Sequence, residues 1–256
     1  MIRPPSFPLF NRLRIPELED QGWFPAILRN YQTDFLGIVA KLIKIYEPLI
    51  PVLGRNASAK SAICDLCSGN GAAAIYATAG ARKAGAKLIL TDKFPNANFQ
   101  DYVQLNSVEY LKISVDILHD RLPKAETYTM FNGLHHFNER QIEQVITKIK
   151  AQNGDALFIE PLQPNFAVLL KVMIATTLGA LLFIPFIRPF RWYHFVFTYL
   201  IPIGIIATMW DGIASVINAY SQGQLLKIAS ELEKKGIEAR FEVYRGKFAT
   251  LFILRS

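Results

Sequence analysis

The segment Ile63–Ala77, ICDLCSGNGAAAIYA, limits what this chain can fold into more than any other. The apolar run Ala62–Ile63–Cys64–Asp65–Leu66 ends in a loop of small residues, Cys67–Ser68–Gly69–Asn70–Gly71, and an Ala-rich helical pattern follows to about Ala84. A buried strand that turns directly into a helix is the building unit of a parallel sheet. Gly69 and Gly71 carry no side chains, so a ligand can approach the backbone closely. In doubly wound sheets that approach takes place where the first strand opens onto its helix.

Six further apolar runs match this unit. They are Lys87–Thr91, which ends at Asp92, then Leu111–Val115, Tyr128–Phe131, Ala156–Ile159, Ala239–Tyr244 and Phe248–Leu254. Helical patterns such as NERQIEQVITKIKAQ and SQGQLLKIASELEKKG separate most of them. The alternation predicts an α/β fold, a Rossmann-like doubly wound sheet of seven strands. The last two runs leave no room for a helix between them and must form a C-terminal antiparallel hairpin. Ahead of the sheet, Trp23–Leu53 repeats apolar residues every three or four positions and predicts one long helix or two short ones. The organisation expected is an arm and helical lid over 1–58, a cofactor-binding half over 59–162, an apolar helical insertion over 163–212, and a last helix with hairpin over 213–256.

Composition narrows the class. Hydrophobic residues make up 51% and charged residues 19%, with a mean hydropathy of +0.20, which excludes a disordered or collagen-like chain. Lys and Arg number 28 against 21 Asp and Glu, and 28 − 21 gives a net charge of +7. The cations are scattered, so the excess favours anionic lipid over nucleic acid. Two cysteines, Cys64 and Cys67, are too few for a disulfide scaffold and lack partners for a zinc site. Cys64 reads as core, and Cys67 as a loop residue lining a cofactor rather than as a redox thiol. The proline-broken N-terminus does not read as a signal peptide, and a cytoplasmic protein is expected.

The loop also indicates its ligand. A dinucleotide loop would read G-x-G-x-x-G, but here Gly69-x-Gly71 runs into Ala72–Ala73–Ala74. Asp65 would repel a phosphate and suits a cationic ligand. Asp92, ending the second run, is placed for a carboxylate to accept both hydroxyls of a ribose.

With these features the sequence resembles the class I S-adenosylmethionine-dependent methyltransferases over roughly residues 60–160 and the hairpin. DLCSGNG is similar to the family's D-x-G-x-G-x-G, with Cys67 where the first glycine usually stands. LILTD, SVDILHD, TMFNGLHHF and FIEP, ending in Glu160, resemble the motifs that follow. The resemblance implies S-adenosyl-L-methionine as cofactor. It places Asp65, Leu66, Cys67, Ser68, Gly69 and Gly71 in the first loop, and Asp92 and Lys93 at the ribose. Asp116 would meet the adenine amino group and Ile117 its ring face, while Asn132 lies beside the methyl group. No metal is implied. His135 and His136, at the mouth of the expected pocket, are the candidates for a base, since histidine titrates in the useful range. A histidine there can also simply cap the next helix, and Glu160 before Pro161 can simply cap a turn. Trp23, Phe24, Arg29, Tyr31 and Phe35 would line the lid, with Tyr31 a third candidate catalytic group.

One stretch stands apart from the sheet. Phe166–Ile187 carries a single charge, Lys171, and Trp192–Trp210 carries none beyond His194. Both approach the length that crosses a bilayer. Pro185, Pro189 and Pro202 break the spans, and two crossings would leave Arg188 and Arg191 outside, against the positive-inside tendency. A hairpin dipping into one leaflet, or an apolar cap over the substrate cavity, fits better. The function expected is methyl transfer to a hydrophobic small molecule, peripheral on the inner face of a membrane. Two alternatives remain open: a non-catalytic membrane-associated assembly factor on the same fold, and a nicotinamide-dependent reductase. The reductase lacks its third glycine and a Tyr-x-x-x-Lys pair.

Overall fold

A computed structural model describes residues 14–54, 61–96, 106–246 and 250–256. Most of the arm expected at the N-terminus, part of the turn after Leu53, and the first residues of the last predicted run lie outside these. The chain divides into two compact units: Ala40–Pro161 with Gln222–Ser256, and Met1–Val39 with Leu162–Ser221.

The first unit holds the sheet. Its strands are β1 (Ala62–Leu66), β2 (Lys87–Leu90), β3 (Val108–Tyr110), β4 (Thr127–Phe131), β5 (Asp155–Glu160), β6 (Arg240–Arg245) and β7 (Thr250–Arg255). Their order is β3-β2-β1-β4-β5-β7-β6. The first five are parallel, and β7 runs antiparallel to both β5 and β6. The switch point lies between β1 and β2 on one side and β4 on the other, and it opens the crevice in which such sheets bind ligands. One face of the sheet packs Ile63, Leu88, Leu90, Ile159 and Ile253 against Ala74, Ala77 and Ala81, with Leu49 and Tyr46 also buried there. Those alanines let the helices Ala72–Ala77 and Ala79–Lys83 lie close to the strands. By the two-residue period of a strand, Cys64, Tyr128, Met130 and Phe158 face the other way. The helix Glu139–Lys150 buries Ile142, Val145, Ile146 and Ile149, and it is started by a capping box in which Asn138 and Gln141 serve each other's backbone N–H.

Three expectations move. The third strand is Val108–Tyr110 rather than Leu111–Val115. Its pairing is fixed by Leu88↔Val108 and Leu90↔Tyr110, which leaves the more apolar LKISV run beyond the ladder. The Ala-rich helix breaks at Thr78, whose hydroxyl turns back to Ala74 O at 2.7 Å. The N-terminal helix spans Ala26–Leu42, and two short helical turns, Glu47–Leu49 and Ile50–Gly54, follow it.

The second unit is helical. Phe166–Phe186 is one continuous helix of 21 residues, and Trp192–Leu200 and Ile203–Asn218 form a pair bent by 82°. Tyr31, Phe35, Ala180, Ile184, Ile187 and Tyr193 form its core. Gly204 admits the Tyr31 ring, because a Cβ there would fall 2.6 Å from it. Two buried acids anchor this core. Asp34 accepts hydrogen bonds from His194 Nε2 at 3.0 Å and from the Tyr193 hydroxyl at 3.2 Å. Asp211 accepts from Leu18 N–H, Glu19 N–H and Gln32 Nε2 at 2.6, 3.1 and 2.8 Å, which ties the N-terminal segment down.

Candidate functional site

The carboxyl ends of β1, β2, β3 and β4 bring most of the predicted residues into one cradle. After β1 the chain enters left-handed backbone at Cys67 (φ 55°), Gly69 (φ 55°) and Gly71 (φ 75°). Such angles cost an ordinary residue of order 1 kcal/mol, so a cysteine in place of the first glycine is a local strain. The loop is held from outside. Ser68 N–H donates to Thr91 O at 2.9 Å, and the Ser68 hydroxyl donates to Asp65 O at 3.0 Å. Gly69 N–H donates to Asp92 Oδ2 at 2.7 Å, which joins the loop to the acid after β2. Gly69 O accepts the Tyr110 hydroxyl at 2.8 Å, and that oxygen in turn accepts Asn96 N–H at 3.1 Å.

Asp65 is buried behind this loop and accepts the Thr129 hydroxyl on Oδ1 at 2.6 Å, across the β1–β4 register. Burial pushes its carboxyl up to about 7; the Thr129 and Ser68 hydrogen bonds oppose this and the neighbouring Asp92 adds to it. Leu66 is fully buried beneath the loop. The Cys64 thiol faces the core and burial pushes it up to about 12, so it stays protonated and inert at neutral pH.

After β3, Asp116 accepts Leu118 N–H on Oδ1 at 3.0 Å, and on Oδ2 it pairs with Lys93 Nζ at 3.0 Å and His119 Nδ1 at 3.3 Å. Partial burial raises its pKa, but these donors together hold it below the usual carboxylate range. Lys93 and Asp116, two of the predicted cofactor residues, are thus each other's partners. Ile117 is buried. Its carbonyl, with those of Leu118 and Asp120, accepts the ammonium of Lys148 at 2.8, 3.1 and 2.9 Å. Lys148 fixes this turn from the helix Glu139–Lys150, a role the sequence reading did not assign.

After β4, Asn132 is left-handed (φ 54°), and its buried Oδ1 has no hydrogen-bond partner among the described residues. Gly133 follows; a Cβ there would sit 3.0 Å from Met130 Cγ and 3.6 Å from Cys67 Cβ, so the glycine lets the β1 and β4 loops meet. His135 lies in the short turn Leu134–His136, fully buried, with its ring 4.4 Å from that of His136. His135 Nδ1 is 2.7 Å from Oε2 of Glu160, the equally buried last residue of β5. An ionised carboxylate only accepts, so the Nδ1 proton points to Glu160 and the basic lone pair of the neutral ring is on Nε2. Glu160 is therefore not a turn cap. It orients a histidine.

Tyr31 requires a correction. It belongs to the helical unit, where it is fully buried with its hydroxyl 2.9 Å from Thr198 Oγ1, and burial pushes it up to about 12. A phenol enclosed by its own helices holds the core together and is not presented to a ligand. Among the other lid residues, Phe24 and Phe35 are also core, and Arg29 donates to Glu19 O and Gln21 O at 2.9 Å each.

No family model matches the sequence, nor does any curated protein. Solved structures do match. Human N-acetylserotonin methyltransferase in complex with SAM is 15% identical, with 89% of this chain and 55% of that one covered, at a TM-score of 0.55. The fold is that of the class I S-adenosylmethionine-dependent methyltransferases. An O-methyltransferase family 2 protein from Planctomyces limnophilus in complex with apigenin is 13% identical, with 87% and 59% covered and a TM-score of 0.51. The mitomycin 7-O-methyltransferase MmcR is 14% identical, with 85% and 54% covered and a TM-score of 0.51. The chain thus spans a little over half the length of these neighbours.

Proposed function

We propose that the protein is an S-adenosylmethionine-dependent methyltransferase that methylates a hydroxyl of a hydrophobic small molecule, working at the cytoplasmic face of a membrane. The observation that carries this reading is the buried His135–Glu160 pair on the same strand ends as the glycine loop. The cradle fits the cofactor on its donor set. It offers left-handed glycines for close approach, the buried Asp65, the Asp92 carboxylate, and the buried Asn132 Oδ1, which has no hydrogen-bond partner among the described residues, as an acceptor for an ammonium. Asp92 already accepts from Gly69 N–H and Phe94 N–H, and a carboxylate oxygen takes more than one donor, so ribose hydroxyls can be added.

When bound, S-adenosylmethionine supplies an electrophilic methyl whose leaving group is a neutral thioether. What remains for the chain is alignment and a proton. His135 Nε2 takes the acceptor's proton, and Glu160 holds the ring and stabilises the imidazolium through Nδ1–H. Several of the similar structures are O-methyltransferases, which supports oxygen as the acceptor atom. The apolar segment 166–210 supports a greasy substrate and a membrane site.

Titration with S-adenosylhomocysteine and with NAD(P)H, followed by methyl-label transfer into a membrane extract, tests the proposal. Binding of the first ligand and label in a lipophilic product are expected. Binding of NAD(P)H alone would favour a reductase, and cofactor binding without transfer to any extract would favour an assembly factor. Asp92→Ala is expected to weaken S-adenosylhomocysteine by about 1.5–3 kcal/mol, the scale of a charge-assisted hydrogen bond. Calorimetry reads this directly, and unchanged affinity would remove Asp92 from the site.

A further inference from the structure

Phe166, Leu170, Ile174, Leu178, Leu182 and Phe186 recur every fourth residue along the 21-residue helix, and each is between 47% and 65% exposed. In a regular α-helix a four-residue step drifts by about 40°. Here the wider π-helical turn at Ala175–Gly179 takes up part of the drift and keeps the side chains in one stripe. Only 22% of the helix's most apolar stretch is buried. A core helix of that composition would be enclosed. The elbow of the bent pair adds Leu200, Ile201 and Ile203, all exposed. An apolar face of this extent needs an occupant.

Its charges select the occupant. From Phe166 to Trp210 there is no Asp or Glu, and the exposed charges are Lys171 near one end of the stripe and Arg188 just past the other. A second copy of this chain would set cation against cation. Anionic head groups complement both, while the stems bury along the apolar surface. The helix is about 31 Å long at the α-helical rise, but it does not stand alone in lipid. Its opposite side, through Ala180 and Ile184, is packed into the core of its own unit with Tyr31 and Phe35. One-sided exposure describes a helix lying in a surface rather than crossing it.

We propose that this stripe and elbow lie in one leaflet of an anionic bilayer, helix axis in the membrane plane, with Lys171 and Arg188 at head-group level. The inference rests on the membrane placement proposed above and is independent of methyl transfer, because S-adenosylhomocysteine binding is scored separately in the same samples.

The full chain is floated with vesicles of phosphatidylcholine alone or mixed with phosphatidylglycerol. The wild type is expected to float with the anionic vesicles, and Leu182→Asp with Phe186→Asp to abolish flotation while cofactor binding persists. Lys171→Gln with Arg188→Gln keeps the apolar stripe and is expected to lower partition onto anionic vesicles about 30-fold, at about tenfold per 1.4 kcal/mol and about 1 kcal/mol for each cation. No flotation of a wild type that binds cofactor would overturn the proposal. So would a lipid-free dimer that the Asp variants dissociate, or partition that ignores the cation variants. A helix that protease mapping shows to cross the bilayer would overturn the one-leaflet geometry.

Discussion

Replacing His135 by Ala is expected to lower the methyl-transfer rate by about 10²–10⁴ while leaving S-adenosylhomocysteine affinity unchanged. The loss falls on the rate because a base touches the acceptor and not the cofactor. Glu160→Gln is the sharper test. It keeps the shape and removes the charge that fixes the Nδ1–H tautomer at 2.7 Å, so the rate should fall although His135 is still present. Removing one member of a buried pair also costs stability, so thermal unfolding of each variant must accompany the kinetics. His136→Ala serves as the comparison: its ring packs 4.4 Å from that of His135, and a smaller effect is expected than at His135, whose Nδ1 is held by Glu160. A rate that ignores His135→Ala, with cofactor binding intact, would assign catalysis to alignment alone and point to an acceptor that needs no base.

Much of the sheet could be read from the chain because its signal is local. β1, β4 and β5 are short and buried on both faces, β2 is short with Leu88 and Leu90 buried on one face, and each falls within a residue or two of its apolar run. β3 did not, since an edge strand reading Val-Glu-Tyr is only partly buried and its neighbour LKISV is the greasier of the two. The glycine loop was legible for the same local reason, but its tethers were not. Tyr110 reaches Gly69 O across 41 positions, and Lys148 reaches Ile117 O across 31, so only the folded register brings them together. The His135–Glu160 pair is separated by 25 positions. A signal for it did exist: an acid ending a strand that buries all but its first residue must find a partner, because an unpaired buried carboxylate is costly. Tyr31 misled for the converse reason. A polar group on an amphipathic helix looks like pocket lining, and its actual partner, Thr198, is 167 positions away.

Asp65 is expected to make both folding and cofactor binding depend on pH between about 4 and 7. Burial lifts its carboxyl from an ordinary 3.8 to about 7, so over that interval the folded protein holds a proton that the unfolded chain has released. Stability falls with rising pH wherever the native state binds more protons. The contribution of Asp65 is therefore fully present below about pH 4 and is lost as pH climbs through 7. Three pH units correspond to about 4 kcal/mol. Asp65→Asn carries no such proton, so denaturant unfolding of the two proteins across this range should give curves that diverge by that order, with the wild type losing ground as pH rises. A cationic ligand reverses the preference of the site, because an ammonium held near Asp65 favours the carboxylate. Binding of S-adenosylhomocysteine below pH 7 should then release about one proton, and its affinity should rise by up to about tenfold per pH unit until Asp65 ionises without help. Calorimetry in two buffers of different ionisation enthalpy measures the proton count. An affinity that is flat from pH 5 to 8, with no proton released, would mean that Asp65 stays neutral beneath the loop and that the ammonium is held elsewhere, with the buried Asn132 Oδ1 the next group to test.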